Sequence, residues 1–270
     1  MYSLVNYVGF GFPGNYLMYS VILIYIELML SCLLILFTIL YLLDYSLSIF
    51  NLDINTLPWN FKASSESFLD LLYLVFPICC VIYTLGPALA FLYNDVSFNN
   101  LNPLFEISVC GRQWYWTYSY NYNLYNYMVF YYLSDLISSH NFLSFDSILN
   151  IDYIENRLLD VDNRLVIPVN FPVLISITSS DVIHSFALPQ LGVKIDAIPG
   201  RVGQTLLCSN ITGTFYGQCS ELCGVFHGYM PIALDVYDYS SFVTWFTLSL
   251  SFSPSVSICS LLYFNNVLYI

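Results

Sequence analysis

Two long apolar runs occupy the first third of the chain. They cover residues 16–43 and 69–93, and each is long enough to cross a lipid bilayer as an α-helix. Pro77 and Pro87 lie inside the second run, and prolines are tolerated in such helices where neighbouring groups satisfy the freed backbone. The pattern therefore predicts a two-helix transmembrane hairpin. Glu27, inside the first run, is expected to face a partner subunit.

Beyond the second run, the pattern changes to short stretches in which apolar and polar residues alternate, as is typical of β-strands. The predicted strands cover residues 105–118, 164–178, 204–209 and 232–237, with turns at 198–200 and 212–213. From residue 246 onward the chain is apolar again. Pro254 interrupts this part, which argues against a third span.

Composition agrees with a membrane protein that has one water-facing domain. Hydrophobic residues make up 58% of the 270 residues and charged residues only 9%. Eighteen acidic residues against six basic ones give a net charge of −12. This charge disfavours nucleic acid as a partner and favours capture of a basic protein.

One short segment near the C-terminal end of the β-rich part carries the candidate chemistry. Cys219, Cys223, His227 and Met230 fall within twelve residues, and His184 lies upstream. Sulfur ligands beside imidazole suit copper, whereas Met is a poor ligand for zinc. The two cysteines could instead form a disulfide, or lie on one helix face with His227. Neighbouring glycines and a proline favour a loop, and a disulfide would not explain the histidine and methionine; a metal site is favoured.

The residues 179–201, continued by 217–231, resemble subunit II of mitochondrial cytochrome c oxidase. In that family this motif holds a binuclear copper centre that receives electrons from cytochrome c. The resemblance implies two copper ions, with ligands at His184 and His227 (imidazole), Cys219 and Cys223 (bridging thiolates), Met230 (sulfur) and Glu221 (backbone carbonyl). It also implies that the Glu221 carboxylate reaches a magnesium ion shared with subunit I. The alternative for Glu221 is an ordinary surface acid.

The resemblance assigns further roles outside the metal motif. Residues 111–116 match a family stretch in which Trp114, with Tyr115 beside it, receives electrons from docked cytochrome c; for Trp116, packing is the favoured role. Asp70 aligns with an acid at the mouth of a proton path into subunit I, and Glu66, one turn away, could substitute for it. The alternative for both residues is an ordinary acid at the membrane interface.

The docking surface for cytochrome c departs from the family pattern. Asp162 and Asp181 match family docking positions, although a role in solubility is the alternative. Residues 119–127, where family members carry several acids, contain none. The segment 119–156 is predicted to be an insertion, and the missing docking charge lies there, is supplied by accessory subunits, or is absent.

The implied protein is a membrane-anchored α+β chain: a two-helix transmembrane hairpin followed by a cupredoxin-like Greek-key β-barrel. The predicted parts are an N-terminal segment, the hairpin, the copper domain and an apolar extension, at residues 1–15, 16–93, 94–245 and 246–270.

The implied function is that of a non-autonomous subunit of a proton-pumping respiratory oxidase, which passes electrons from cytochrome c to the heme of subunit I for reduction of oxygen to water. The expected partners are cytochrome c, subunit I, other oxidase subunits and membrane lipid. The expected location is the mitochondrial inner membrane, with the copper domain facing the intermembrane space. A copper-handling membrane protein without a redox role is the alternative, and the Trp114 motif and Glu221 argue against it. A structural subunit without copper is a third possibility, opposed by the complete ligand set.

Overall fold

The computed structural model describes residues 11–50, 66–99, 101–121, 143–150 and 156–252. The chain folds into two compact units. The first is helical and comprises Tyr19–Val96. The second is rich in β-strands and comprises Met1–Met18 together with Ser97–Ile270.

Two long helices account for both apolar runs. Helix α1 covers Tyr16–Phe50 and helix α2 covers Glu66–Asn99, continuing through Pro77 and Pro87. Within them, Tyr16–Ser48 and Asp70–Asp95 are long and apolar enough to cross a membrane, and only 6% and 0% of these stretches are buried. An apolar helix that is not buried in its own protein suits a lipid environment, so the structure agrees with two membrane spans.

In the described part of the second unit, ten strands are followed by a helix, α3. The strands are β1 (Glu106–Arg112), β2 (Tyr115–Asn121), β3 (Leu143–Ser147), β4 (Leu165–Pro168), β5 (Val173–Ser179), β6 (His184–Leu188), β7 (Val193–Ala197), β8 (Gly203–Leu207), β9 (Gly213–Gln218) and β10 (Pro231–Tyr237). Helix α3 covers Tyr239–Phe252.

The strands form three sheets, with the orders β3-β2-β1-β5-β8, β4-β10-β9 and β6-β7. Strands β1 and β5 run parallel, as do β4 and β10, whereas the other paired strands are antiparallel. Neighbours that are far apart in sequence require connections that cross between sheets. These crossovers fit the predicted Greek-key barrel.

The alternation seen in the sequence sets which side chains fill the barrel. In β2, Trp116, Tyr118 and Tyr120 are almost completely buried, while the residues between them are partly exposed. Helix α3 adds Phe242, Phe246 and Leu250, spaced by four residues, to the same core. The boundary predicted between residues 245 and 246 therefore falls inside a packed helix. Residues 253–270 lie outside the described part.

Two predicted strands are wrong in extent because turns divide them. The segment 105–118 is the hairpin of β1 and β2. The segment 164–178 is split into β4 and β5 by a turn in which Asn170 has φ of 63°, followed by Pro172, which cannot donate a backbone hydrogen bond. The turn predicted at 212–213 is a bend at 210–211, since β9 already begins at Gly213.

The segment predicted as an insertion, residues 119–156, is described only in part. It contains the end of β2 and the whole of β3, and these two strands pair from Trp116↔Ser147 to Tyr120↔Leu143. This stretch therefore contributes a strand to the five-stranded sheet. Residues 122–142 and 151–155 lie outside the described part.

The segment before helix α1 is bound to the β-rich unit. The Asn15 side chain is buried, and its Nδ2 donates hydrogen bonds to the carbonyls of Leu191 (2.9 Å) and Cys208 (3.2 Å). Its Oδ1 accepts a hydrogen bond from the Met18 N–H at 2.8 Å, which caps the first turn of α1. At Gly14, an added Cβ would lie 2.5 Å from the Leu191 side chain, so glycine permits the close approach.

Candidate metal centre

His184 is the first residue of β6, and its side chain is completely buried. Its Nε2 lies 2.9 Å from Oδ1 of Asp181, and its Nδ1 lies 4.0 Å from Sγ of Cys219. Because an ionised carboxylate only accepts hydrogen bonds, the ring proton belongs on Nε2. The lone pair of Nδ1 is therefore directed at the sulfur cluster, as a metal ligand requires.

The remaining candidate ligands lie on the loop that joins β9 to β10, which we call the metal loop. These strands are antiparallel, and their last pair, Gln218↔Pro231, closes the base of the loop. Cys219 and Met230 directly adjoin this pair, so the sheet fixes both ends of the motif. The short 3-10 helix His227–Tyr229 turns the chain back toward β10. The spacing in sequence thus becomes a compact ring of donor atoms.

Cys223 is at the centre of that ring. Its Sγ lies 4.0 Å from Sγ of Cys219, 3.5 Å from Nδ1 of His227 and 3.5 Å from Sδ of Met230. The carbonyl oxygen of Glu221 lies 3.4 Å from the sulfur of Cys219. A disulfide requires a sulfur–sulfur distance of about 2.05 Å, so the two cysteines are free thiols here.

Burial makes the thiol of Cys223 hard to ionise. The removal of water, followed by repulsion from Cys219, raises the pKa of Cys223 to about 12. Both sulfurs are buried, as are His184 and Met230, whereas His227 is half-exposed. Two adjacent buried thiolates would be costly without a compensating cation, so ionisation of this pair goes together with metal binding.

The donor set fits copper. His184, Cys219 and Cys223 form a buried group whose ligand atoms all lie within 4.8 Å of one another. With His227 and Met230 beside them, the cluster offers two thiolates, two imidazoles and one thioether. Soft sulfur combined with imidazole suits copper better than it suits hard cations such as magnesium.

The hairpin of β1 and β2 covers this loop through its turn residues. Nε2 of Gln113 donates a hydrogen bond to the carbonyl of Cys223 at 2.8 Å. The half-buried indole of Trp114 packs edge-on against Phe226, with ring centres 5.0 Å apart, and a Cβ added to Gly224 would lie 3.2 Å from it. Trp114 therefore lies directly on the metal loop. Tyr115, the first residue of β2, is half-buried beside it.

Trp116 has a second role that the sequence did not indicate. Its predicted packing role is confirmed, because it is fully buried and contacts Phe186 edge-on at 5.4 Å. Its Nε1 also donates a hydrogen bond to the carbonyl of Met230 at 3.3 Å. Gln113 and Trp116 thus both bind the backbone of the metal loop. Only a general preference of buried indole N–H groups for a partner could have suggested this.

The two predicted docking acids have different surroundings. Asp162 is exposed, and its Oδ1 accepts hydrogen bonds from the backbone N–H of Ile148 and Asn163, both at 2.7 Å. Asp181 is bound to His184. Although partial burial opposes ionisation, hydrogen bonds from His184 and from the backbone N–H of Gln113 and Val182 hold the pKa of the Asp181 carboxyl below its ordinary value.

The side chains of the other predicted site residues do not contribute to this group of donor atoms. The Glu221 side chain is exposed, as are its neighbours Leu222 (78%) and Val225 (85%). Asp70 is an exposed residue near the start of α2, in the helical unit. Glu66 is the first residue of the same helix, and its side chain lies outside the described part.

Comparison with known proteins identifies relatives of one family. Residues 105–237 match the family model described as "Cytochrome C oxidase subunit II, periplasmic domain". A cytochrome c oxidase subunit 2 from Cyanidium caldarium is 35% identical over 243 residues, which are 88% of this chain and 89% of that protein. A probable cytochrome c oxidase subunit 2 from Rickettsia bellii is 40% identical over 73% of this chain and 66% of its own length.

Among solved structures, the periplasmic domain of cytochrome oxidase subunit II from Bradyrhizobium japonicum is 42% identical to this chain. The match covers 55% of this chain and 95% of that domain, with a TM-score of 0.47. The relative from Cyanidium caldarium matches across both the helical part and the β-rich part, and the family model covers the strands and the metal loop. The chain therefore belongs to the cytochrome c oxidase subunit II family.

Proposed function

We propose that this protein accepts electrons from cytochrome c at a binuclear copper centre and passes them to the heme subunit of a proton-pumping respiratory oxidase. The observation that carries this proposal is the convergence of six donor groups beneath Trp114. Family membership supports it, because the chain is alignable with oxidase subunits over most of its length. A protein that only delivered copper would have no need for an indole packed on the metal loop.

The residues that would hold the two copper ions are Cys219 and Cys223 through their thiolates, His184 and His227 through imidazole, Met230 through its sulfur, and Glu221 through its carbonyl. Copper bound in this way supplies one-electron chemistry in which the charge is shared over two metals, so little reorganisation accompanies each transfer. The protein contributes a fixed arrangement of the donor groups and shields them from water. His184 and both sulfurs are buried, and the sheet holds both ends of the loop.

Trp114 provides the route by which an electron reaches the centre. Its indole contacts Phe226 and Gly224 of the metal loop, and its buried Nε1 has no hydrogen-bond partner among the described residues. A flat, half-exposed ring can contact a docked donor on one side and the loop on the other. Tyr115 lies beside it and would extend the same surface.

The acidic charge of the chain suits cytochrome c as the donor, because cytochrome c is basic. The net charge of −12 speeds encounter with such a partner in a salt-dependent way. Asp162 is exposed and available for docking. Two candidate spans and a water-facing copper domain suit the mitochondrial inner membrane, with the domain in the intermembrane space, and contact with membrane lipid.

Two further proposals concern ions and protons. The exposed carboxylate of Glu221 would bind a magnesium ion together with groups from subunit I, since carboxylate oxygens suit that hard cation. Asp70, or Glu66 one turn away, would lie at the mouth of a proton path. Unchanged proton uptake in both Asp70→Asn and Glu66→Gln oxidase would remove the second proposal.

The direct test is metal analysis of the oxidase complex that contains the full chain, combined with electron paramagnetic resonance. We expect two copper ions in this subunit and hyperfine splitting from two equivalent nuclei. A single copper ion with a mononuclear spectrum, or no copper with Cys219 and Cys223 oxidised, would contradict the proposal. Those outcomes would favour metal delivery or a structural role.

A second measurement separates electron transfer from metal binding. Trp114→Phe should slow electron acceptance from cytochrome c while leaving the copper content unchanged. Tyr115→Phe is the matched control, because it keeps an aromatic ring at the adjacent position. If Trp114→Phe oxidase accepts electrons at the normal rate, the indole is not the route.

A further inference from the structure

The carboxylate of Asp181 lies between the buried histidine of the metal centre and the hairpin that carries Trp114. Its Oδ1 is 2.9 Å from Nε2 of His184. Its other oxygen, Oδ2, accepts a hydrogen bond from the backbone N–H of Gln113 at 2.7 Å. One side chain therefore links His184 to the β1–β2 hairpin, although Asp181 and Gln113 are 68 residues apart in sequence.

The orientation of this carboxylate is fixed by the turn before β6. The backbone N–H of Val182 donates a hydrogen bond to Oδ1 at 2.7 Å, and Ser179 Oγ closes the turn by donating to the Val182 carbonyl. The Asp181 side chain keeps 31% of its surface exposed, whereas His184 is completely buried. The acid therefore fixes the ring from the solvent side, and it is the hydrogen-bond partner of Nε2 among the described residues.

We propose that Asp181 is a positioning residue that joins the copper ligand His184 to the hairpin turn carrying Trp114, so that the reduction potential and the rate of electron acceptance both depend on it. The inference rests on the proposed function. Because the carboxylate accepts the Nε2 proton in a hydrogen bond, it makes Nδ1 a stronger donor to a bound metal. An anionic acceptor also favours the oxidised, more positive state of the centre.

The same network holds the electron route in place. Gln113 donates from its backbone to Asp181 and from its side chain to the Cys223 carbonyl at 2.8 Å. Trp114 is the next residue, so its position on the loop depends on both bonds. Loss of the Asp181 carboxylate removes one of them and frees the peptide N–H of Gln113.

The competing role for Asp181 is that of a simple docking acid. Asp162 provides the matched control, because it is also an aspartate assigned to docking, is exposed, and makes no hydrogen bond to a candidate copper ligand. Asp162→Asn and Asp181→Asn remove the same charge from the surface. A docking role alone would make these two variants alike.

The experiment compares the oxidase complex of the natural protein with complexes carrying Asp181→Asn, Asp181→Ala or Asp162→Asn. The readouts are the copper reduction potential from a spectroscopic redox titration, the KM for cytochrome c at several salt concentrations, and the rate of electron acceptance at saturating cytochrome c. The first and third readouts do not depend on the affinity of docking.

For Asp181→Ala we expect a rise in reduction potential equivalent to about a tenfold change in the redox equilibrium, ~59 mV for a one-electron couple. We also expect a slower rate at saturating cytochrome c. The copper affinity should fall by about 10–100-fold, as is typical when a metal ligand loses its hydrogen-bond partner. Asp181→Asn should change less, because its amide oxygen still accepts a hydrogen bond. Asp162→Asn should alter only KM and its salt dependence.

If Asp181→Ala retains the natural potential and saturating rate and changes only KM, as Asp162→Asn does, Asp181 is a docking acid and the inference is wrong. Failure of the proposed function would look different. In that case the complex with the natural sequence would itself lack the binuclear spectrum, whatever the variants do.

Discussion

His184 and His227 present the same ring nitrogen to the sulfur cluster, but their surroundings differ. His184 is completely buried at the start of β6, contacts Trp116 edge-on at 5.9 Å, and is bound to Asp181. His227 is half-exposed in a short 3-10 helix, and its Nε2 has no hydrogen-bond partner among the described residues. Each nitrogen lies close to one cysteine sulfur, at 4.0 Å and 3.5 Å respectively.

The difference shows that one half of the centre, with His184, belongs to the β-sheet scaffold, whereas the other half, with His227, belongs to the metal loop. The side with His184 is held by the sheet and by hydrogen bonds that are present without metal. The side with His227 depends on a loop whose apolar residues Leu222 and Val225 are largely exposed. We therefore expect the metal to add most order on the His227 side.

The joint between the two halves is Cys223, and its replacement should have the largest effect. Cys223→Ser removes the sulfur that lies near Cys219, His227 and Met230. Loss of a hydrogen-bond partner of a metal ligand lowers affinity by about 10–100-fold, and we expect loss of this ligand itself to lower copper affinity further. Metal content and visible absorption of the purified chain measure this. Cys208→Ser, at a buried thiol outside the cluster, should retain copper; loss of copper there as well would point to general misfolding.

Alanine at each histidine should separate the halves most directly. His184→Ala leaves a cavity and removes the hydrogen bond between the ring and Asp181, so we expect the metal-free protein to lose about 2–4 kcal/mol of unfolding free energy. His227→Ala should change it by about 0.5 kcal/mol or less, because the site is half-exposed. Both should lose copper. Urea unfolding of the metal-free protein checks the difference, and equal losses of stability would contradict the division into scaffold and loop.

A methyl group at Gly224 should disturb the loop without touching a ligand. Gly224 has φ of 126°, and the added Cβ would lie 3.2 Å from the Trp114 ring, so Gly224→Ala should cost about 1–3 kcal/mol through backbone strain. Copper should remain bound while electron acceptance slows. Gly228→Ala, where the methyl group would meet open space, is the matched control. Equal thermal stability of the two variants would disprove the argument.

The pH dependence of copper binding should show the cost of ionising Cys223. Burial and the adjacent Cys219 raise its pKa to about 12, so its thiol is protonated near neutral pH in the metal-free protein. Because binding releases this proton, affinity should rise about tenfold per pH unit from this group alone and reach its limit only near its pKa. Competition titrations at two pH values measure the slope. A pH-independent affinity would contradict protonation of the metal-free site.

A metal site could be predicted from sequence because most of its candidate donor groups are close together in the chain. Cys219 to Met230 lie in one loop, and their spacing alone indicates a metal site. The hydrogen bonds that support the loop could not be found this way. The bond from Gln113 to the Cys223 carbonyl spans 110 residues, and the bond from Trp116 to Met230 spans 114. No local pattern marks such partners.

The same distinction applies to the fold. The two apolar helices and the β-rich unit follow from hydropathy, because burial and lipid contact act on whole stretches of chain. The division of 164–178 into two strands depends on one residue with positive φ and one proline, which the apolar pattern conceals. Helix α1 continues to Phe50, beyond the predicted limit of residue 43. The apolar pattern marks the part of a helix that suits lipid, whereas the backbone hydrogen bonds of the helix continue into more polar sequence.

The buried side chain of Asn15 has a consequence for the order of assembly during synthesis. Its partners, the carbonyls of Leu191 and Cys208, lie 176 and 193 residues later in the chain. Because α1 is synthesised long before these carbonyls, the Asn15 side-chain amide lacks both partners during most of translation. The Oδ1 cap can form with the first turn of α1, whereas the segment before this helix can bind the β-rich unit only after residue 208 has been synthesised, which makes this binding a late step of folding.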